Sequence, residues 1–477
     1  MPAKKKIPTS RAARSAMLGR VVAGQAARQV GTKIATAGRS AEYRSATLQK
    51  RQAEAAKALV TGLGTMRGAA MKIGQMMSMF DIGLWPEEMR EDMQRAMATL
   101  QNSAPPVAFD KMTRVIENDL GRGVDAVFAD FDTTPIAAAS IGQVYRAVLR
   151  ESGAQVAVKV QYPGVDKAVR SDLRNLSLVF KAAKVLVPNM DWAALTEEIR
   201  DRIEEELDYE LEARNQHLAA RLYLDHPFIV IPDVFTELSG QRVLVTEFIE
   251  GDRFEQVKGR PVGEVDRIAE IVFRFYFGGL FTHRQFSPDP HPGNFLVTAY
   301  GRVAFLDFGL YKRLDRTAFE EQRALMRGIV EGTPDSVYQA FVTAGIAATD
   351  AVPPQQAFDF AQRLFWWAQH RGPLTIEQDA VNAMMAGMID PTASQFTFSR
   401  KQSADSTTVL AARMMGMVVA ALGQLEATGD WNAILREMLF DEAPATDLGT
   451  LDAEFRSLRG PAAIIRPDRT GAHRESH

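Results

Sequence analysis

The sequence predicts an α+β protein with room for two lobes and an extension, strands gathered in the first lobe and helices in the second. Three observations predict it. The 477 residues exceed what one small domain needs and suit two lobes. Apolar runs from Gly142 to Leu149 and from Gln155 onward, parted by Ser152-Gly153, read as a strand, a tight turn and a strand. Beyond Gly309 the pattern is helical to about Phe440. A content of 46% apolar and 24% charged residues is that of an ordinary globular chain. With no cysteine there is no disulfide, no Cys-bound zinc and no thiol nucleophile. The net charge of −3 gives no general attraction to nucleic acid. The most apolar run, Val409–Leu425, is interrupted by Arg413, Gly416, Gly423 and Gln424, and is read as a buried helix and not as a membrane span.

Taken in order, residues 1–60 form a basic extension. Its first 50 residues hold eleven Lys or Arg and a single acid, Glu42. A solvated arm, a helix on an anionic membrane surface and an organellar transit peptide all fit that composition. Residues 61–105 are a second, helical extension. Leu63, Met66, Ala70, Ile73, Met77 and Phe80 recur at helical spacing, with Lys72 and Gln75 on the other side. Ser103-Ala104-Pro105-Pro106 is a linker signal, and Gly121 stops a short helix over Phe109–Leu120. The first lobe is placed at 106–250 and the helical second lobe at 251–442. An amphipathic helix over Val262–Phe281 leads into a loop, and a polar tail at 443–477 is expected to be disordered. The Met-rich stretches at 383–388 and 413–417, with Trp366 and Trp367, are read as core.

The chemistry is concentrated in Asp289-Pro290-His291-Pro292-Gly293-Asn294 and in the strand that delivers Asp307-Phe308-Gly309. An Asp, an Asn five residues on, and a second Asp at a strand end are the parts of a phosphoryl-transfer site. Asp289 orients the attacking oxygen, while Asn294 and Asp307 hold Mg²⁺ against nucleotide phosphates. Mg²⁺ takes few protein ligands and needs them on short loops. Lys159, on the second hairpin strand, stands where a kinase lysine holds the α- and β-phosphates. The loop ahead of it, Ala137-Ala138-Ala139-Ser140, is built of alanine where a phosphate-covering loop is usually glycine-rich, so its backbone drapes less freely.

Trp192 to Ala220 reads as one long helix carrying Glu206, Asp208 and Glu212. On a regular helix Asp208 and Glu212 share a face, and Glu206 lies about 160° away from Asp208. One acid then orients Lys159, and Glu212 is assigned that task. Glu247 closes a strand beside the hinge where an adenine would sit.

With these residues together, the chain resembles the UbiB/AarF family of atypical protein-kinase-like ATPases, and within it the group that supports coenzyme Q biosynthesis. The likeness rests on Lys72-Ile73-Gly74-Gln75, Ala137–Ser140, Lys159, Glu206-Leu207-Asp208, Glu212, Asp289 to Asn294 and Asp307-Phe308-Gly309. It implies a two-lobed protein-kinase-like fold whose Lys-x-Gly-Gln helices pack over the active site, with Lys72 and Gln75 facing Glu206 and Asp208. It also implies ATP and Mg²⁺ as cofactors and an isoprenoid-quinone precursor or lipid as acceptor. Quinone-biosynthesis enzymes and an anionic membrane surface are the implied partners. The location would be cytoplasmic or peripheral at a bacterial inner membrane, or organellar in a eukaryote. A nucleotide-sensing scaffold with little turnover is the alternative. Ser287-Pro288 departs from the family's usual small or hydroxyl residue ahead of Asp289, and the C-terminal membrane spans of some bacterial members are not recognised.

Overall fold

The computed structural model describes residues 107–170, 203–346, 353–389 and 406–459, with isolated positions at 173, 197, 200 and 201. They divide into two compact units. One gathers the chain up to Glu210 together with Thr236–Val245, the other Leu211–Phe235 together with everything from Thr246.

In the first unit, helix α1 (Phe109–Leu120) ends as expected at Gly121, whose φ of 66° only glycine adopts without cost and whose amide closes on Glu117 O. A one-turn helix, α2 (Val124–Val127), leads into an antiparallel sheet. Its strands are β1 (Phe128–Phe131), β2 (Ala137–Ala138), β3 (Gly142–Leu149), β4 (Gln155–Gln161) and β6 (Val243–Glu247). The predicted hairpin is β3–β4, in register with Val144 opposite Lys159. At Gly142 a Cβ would lie 2.2 Å from Val160 O, so a glycine is obligatory there. Asp119 at the end of α1 accepts from the Arg242 and Val243 amides at 2.9 Å and fixes the helix to the start of β6.

The second unit starts earlier than expected. Residues 211–235 belong to it, and the division falls at Val245–Thr246, short of residue 250. The cause is packing. The C-terminal half of helix α3 (Tyr209–Leu222) sends Ala219 and Ala220 into this unit's core, and β5 (Ile229–Val230) pairs in parallel with β10 (Val303–Phe305). Strand β10 also pairs with β9 (Phe295–Val297), and β9 with β7 (Asp252–Arg253). After the short α4 (Phe254–Val257) comes α5 (Val262–Phe281), whose predicted bounds hold and whose predicted amphipathic character is confined to its first half, where Val262, Glu264 and Arg267 are exposed and Val265, Ile268 and Ala269 buried. From Ile271 to Phe281 it is buried all round, because aromatic layers cover opposite faces. Phe273 and Phe277 stack at 4.1 Å and meet Trp367, while Phe275 stacks on Phe305 at 3.7 Å.

Past β8 (Gln285–Phe286) and β11 (Lys312–Arg313), which pair, the unit is helical. Helices α6 (Arg316–Glu331), α7 (Pro334–Thr343), α8 (Pro354–Gln369), α9 (Gln378–Ile389), α10 (Ser406–Leu425) and α11 (Trp431–Phe440) follow, with β12 (Leu374–Thr375) paired to β13 (Thr428–Gly429). Trp367, Met414 and Met415 are core, as read from the sequence, and Trp431 joins them. Helix α10 is long and apolar enough to cross a membrane, yet 56% of its apolar window is buried. Met414, Val418, Val419 and Leu422 are fully enclosed, which matches the buried-helix reading.

The tail is a correction. Where disorder was expected, helix α12 runs over Asp447–Arg459. Polar anchors hold it although its composition is poor in apolar residues. Arg274 donates to Glu437 at 2.8 Å and to Thr446, and the Ala445 amide donates to Glu437. Arg459 donates to the Arg221 and Leu222 carbonyls, capping the last turn of α3. The expected extensions at 1–60 and 61–105, with Lys72 and Gln75, lie outside the described residues.

Candidate active site

The second unit presents the loop of Asp289 to Asn294 and the end of β10. Phe286 is buried on β8, and Ser287 and Pro288 are buried ahead of Asp289. The loop is then tied at each turn. The His291 amide donates to Asp289 O, the Asn294 amide to His291 O, and the Asn294 side-chain amide to Asp289 O at 3.3 Å. That last bond uses the Asn294 nitrogen, which leaves its oxygen as the side chain's donor atom for a cation. The Leu306 amide donates to Asn294 O at 2.9 Å, so the loop is pinned to the strand that carries Asp307. Asp307 Oδ1 accepts from the Gly309 amide at 3.0 Å, and Asn215 of α3 donates to Phe308 O. Glu212 is 2% exposed, and its carboxylate lies with Asp307 around Gly309: a Cβ there would be 3.6 Å from Glu212 Oε2 and 3.5 Å from Asp307 Oδ1.

The field of these acids is felt beneath them. Burial pushes the Tyr276 phenol well above its ordinary range, and the negative charges of Asp289 and Asp307 add to that. Tyr276 stays neutral as a packing residue against Phe305. Among the described residues no three His, Asp or Glu side chains gather into a metal cluster. A single carboxylate and an amide oxygen on short tied loops do fit Mg²⁺, which completes its shell with water and phosphate oxygens. Asp289 has a neighbour that the sequence did not assign to the site: Arg413 of α10 reaches its Oδ1 at 3.4 Å.

In the first unit, Ala137 pairs with Val144 and Ala138 with Gln143, both alanines being exposed. The Ala139 amide closes on Gly142 O, which leaves Ser140 and Ile141 as the tip of the turn. Ser140 donates its hydroxyl proton to Glu206 Oε1. Lys159 extends over the ring of Tyr209, its Nζ 5.0 Å from the centroid.

The long helix expected over these acids is broken. Residues 203–206 are helical, Leu207 and Asp208 are not, and α3 starts at Tyr209. Gln161, buried at the end of β4, is the cause: its amide donates to Leu207 O at 2.8 Å and to Gln241 O, while the Tyr209 amide turns to Gln241 O. The shared face proposed for Asp208 and Glu212 therefore does not exist as drawn, since Asp208 stands in the break. Glu247 is exposed, and its carboxylate accepts from the Asp233 amide at 3.0 Å, bracing the strand end.

Gln161, Tyr209, Asn215 and Arg413 were not assigned to the site from sequence. Two of them carried a signal: Gln161 is a polar residue directly after an apolar strand, and Arg413 is the one charge in Val409–Leu425. Nothing local marks Tyr209 or Asn215.

This arrangement, two tied acid-bearing loops in a helical unit and a lysine on the central hairpin of an antiparallel sheet, is a protein-kinase-like one. Residues 99–341 match the ABC1 atypical kinase-like domain, and the chain belongs to that family. It is similar to AarF domain-containing protein kinase 1 of Xenopus tropicalis, 34% identical over 256 residues, covering 52% of this chain and 48% of that protein. The mitochondrial atypical kinase COQ8B of Rattus norvegicus is 31% identical over 339 residues, 70% of this chain and 63% of the relative. The chain thus spans about half the length of the curated relatives it matches. A solved Mycobacterium tuberculosis protein, in complex with erythromycin, superposes with a TM-score of 0.60 at 30% identity, covering 84% of this chain and 98% of that one.

Proposed function

We propose that the chain is a Mg²⁺-dependent ATP-binding enzyme, an ATPase or small-molecule kinase serving isoprenoid-quinone or lipid metabolism. One observation carries the reading. The Asn294 side-chain amide is spent on Asp289 O while Asn294 O is bonded to the Leu306 amide, so an amide oxygen and the Asp307 carboxylate are held on mutually tied backbone. Mg²⁺ bound by them would neutralise phosphate charge during transfer. Asp289 would accept a hydrogen bond from the attacking water or lipid hydroxyl. Lys159 would hold the α- and β-phosphates, Glu212 would orient it, and Ala137 to Ser140 would cover them. Positioning and charge supply most of what such a reaction asks of a protein.

One contact favours the alternative, a nucleotide-sensing scaffold: Arg413 engages the oxygen of Asp289 that would orient a nucleophile. Calorimetry and phosphate release test both. Asp307→Asn is expected to weaken MgATP at least tenfold and metal-free ATP little. Equal losses for the two forms would remove the metal assignment. Tight MgATP binding by the wild type without phosphate release, with and without liposomes and a quinone-like phenol, would leave the scaffold.

A further inference from the structure

The contact between Ser140 and Glu206 has no part in the phosphoryl-transfer roles assigned above. Ser140 lies at the tip of the β2–β3 turn, and its hydroxyl donates to Glu206 Oε1. A serine hydroxyl has a single proton to give. While it is directed at Glu206 it is not given to any other acceptor. The carboxylate is also firmly presented. Gln161, 1% exposed, holds the next carbonyl, Leu207 O, to the end of β4, and the helical residues 203–206 end there. The turn itself is narrow, with Ala139 N bonded to Gly142 O at 2.9 Å, and Gly142 has no room for a side chain against Val160 O. The tip therefore has a fixed base and a hydroxyl already committed to an anion.

A carboxylate oxygen and a phosphate oxygen ask the same thing of a hydroxyl: a short, charge-assisted hydrogen bond. We infer that Glu206 is a built-in phosphate surrogate, competing with the phosphates of a nucleotide for the Ser140 hydroxyl. This rests on the nucleotide reading above and adds to it a regulator of affinity. In the resting protein the loop is latched. Nucleotide binds with full strength only to the fraction in which Ser140 has left Glu206, and the apparent affinity is lowered by that fraction.

The inference separates two residues that a simple structural contact would treat alike. Removing Glu206 frees the hydroxyl for phosphate. Removing Ser140 breaks the latch and also discards the donor. Calorimetry of the full chain with MgATP and with MgADP should find Glu206→Ala about tenfold tighter than wild type, the worth of one charge-assisted hydrogen bond. Ser140→Ala should be no tighter than wild type, and the double variant should behave as Ser140→Ala does. Without nucleotide, the Ala139 amide should exchange with solvent faster in both single variants. Should Glu206→Ala fail to fold by thermal unfolding, Glu206→Gln keeps an acceptor without charge and should tighten binding about threefold.

Equal or weaker binding by Glu206→Ala, or the same gain in the Ser140→Ala background, overturns the inference while the wild type still binds nucleotide. If neither wild type nor Glu206→Ala binds nucleotide, the nucleotide reading itself has failed, and the inference with it.

Discussion

In the second unit the residues assigned to the metal sit on backbone bonded at every turn, over an aromatic layer in which Phe275 and Phe305 stack at 3.7 Å. In the first unit the alanines assigned to cover phosphates form a two-residue, exposed strand, and the tip beyond it is held by the Ser140 hydroxyl on Glu206 and by the Tyr162 amide on Ile141 O. The contrast follows from what each half is asked to do. On the proposed reading, a cation tolerates little error in where its ligands stand, which suits enclosed strands and tied loops. On the same reading, the loop that covers a nucleotide has to admit and release it, which suits an exposed strand at the sheet's margin. The second unit thus spends its packing around its acid-bearing loops, and the first leaves its alanine strand exposed.

The largest break in that contrast should come from the enclosed side. Phe305 is the last residue of β10, two before Asp307, and it meets Phe275, Tyr276 and Phe295. Phe305→Ala should cost about 3–5 kcal/mol in denaturant unfolding, the usual range for emptying an aromatic site in a core. Mg²⁺-dependent nucleotide binding should fall with it. A loss below about 1 kcal/mol would mean that the strand end is held by its hydrogen bonds and not by the aromatic layer.

Acid should also separate the two units, because all seven histidines lie at or after His217 and so fall in the second. Burial holds the His283 imidazole down at about 4, with the nearby Arg456 and His226 lowering it further and Asp452 opposing. His226 is lowered too, burial first, and its Nδ1 accepts from the Ile229 amide, a role that a protonated ring cannot fill. The folded values lie below the unfolded one of about 6.5, so the unfolded chain takes up protons first as the pH falls. Stability is then complete above about 6.5 and declines toward 4. His283 alone should account for roughly 2 kcal/mol between about pH 7 and pH 5. Denaturant unfolding at the two pH values should show this slope in wild type and a shallower one in His283→Gln. An unchanged slope in the variant would place the acid sensitivity elsewhere.

How much of this was legible in the sequence follows the same divide. Helix α1 with its Gly121 stop, the β3–β4 hairpin, the bounds of α5 and the loops of Asp289 and Asp307 were all readable, because local spacing and turn chemistry determine them. What was misread depends on partners far along the chain. The break at Leu207 is made by Gln161, 46 residues earlier. The all-round burial of α5 from Ile271 to Phe281 needs Trp367 and Trp431. Helix α12 is invisible in its own polar composition because its anchors, Arg274 and the carbonyls of Arg221 and Leu222, are contributed by α5 and α3. Periodicity states which face of a helix is apolar, and is silent on whether a distant polar group will interrupt it.

The smallest expected effect on stability is the most informative about the adjustable half. Ala138 faces solvent and pairs with Gln143, so Ala138→Gly removes no buried contact. It should cost only about 0.5–1 kcal/mol, through the added backbone freedom of glycine in a strand. Its effect on ligand should be larger than its effect on folding. Without the Cβ at 138 the strand leading to Ser140 can bend toward phosphates, and the added freedom favours whichever nucleotide presents more of them. The ratio of ATP to ADP affinity should therefore rise in Ala138→Gly, or self-phosphorylation should become measurable, while thermal unfolding barely moves. A comparable change at the enclosed side, where Phe305 is packed on several faces, could not alter ligand choice without first lowering stability. A variant whose nucleotide ratio and phosphorylation match wild type would show that the alanines are simply the strand's filling, and that adjustment in this half resides in the Ser140 tip alone.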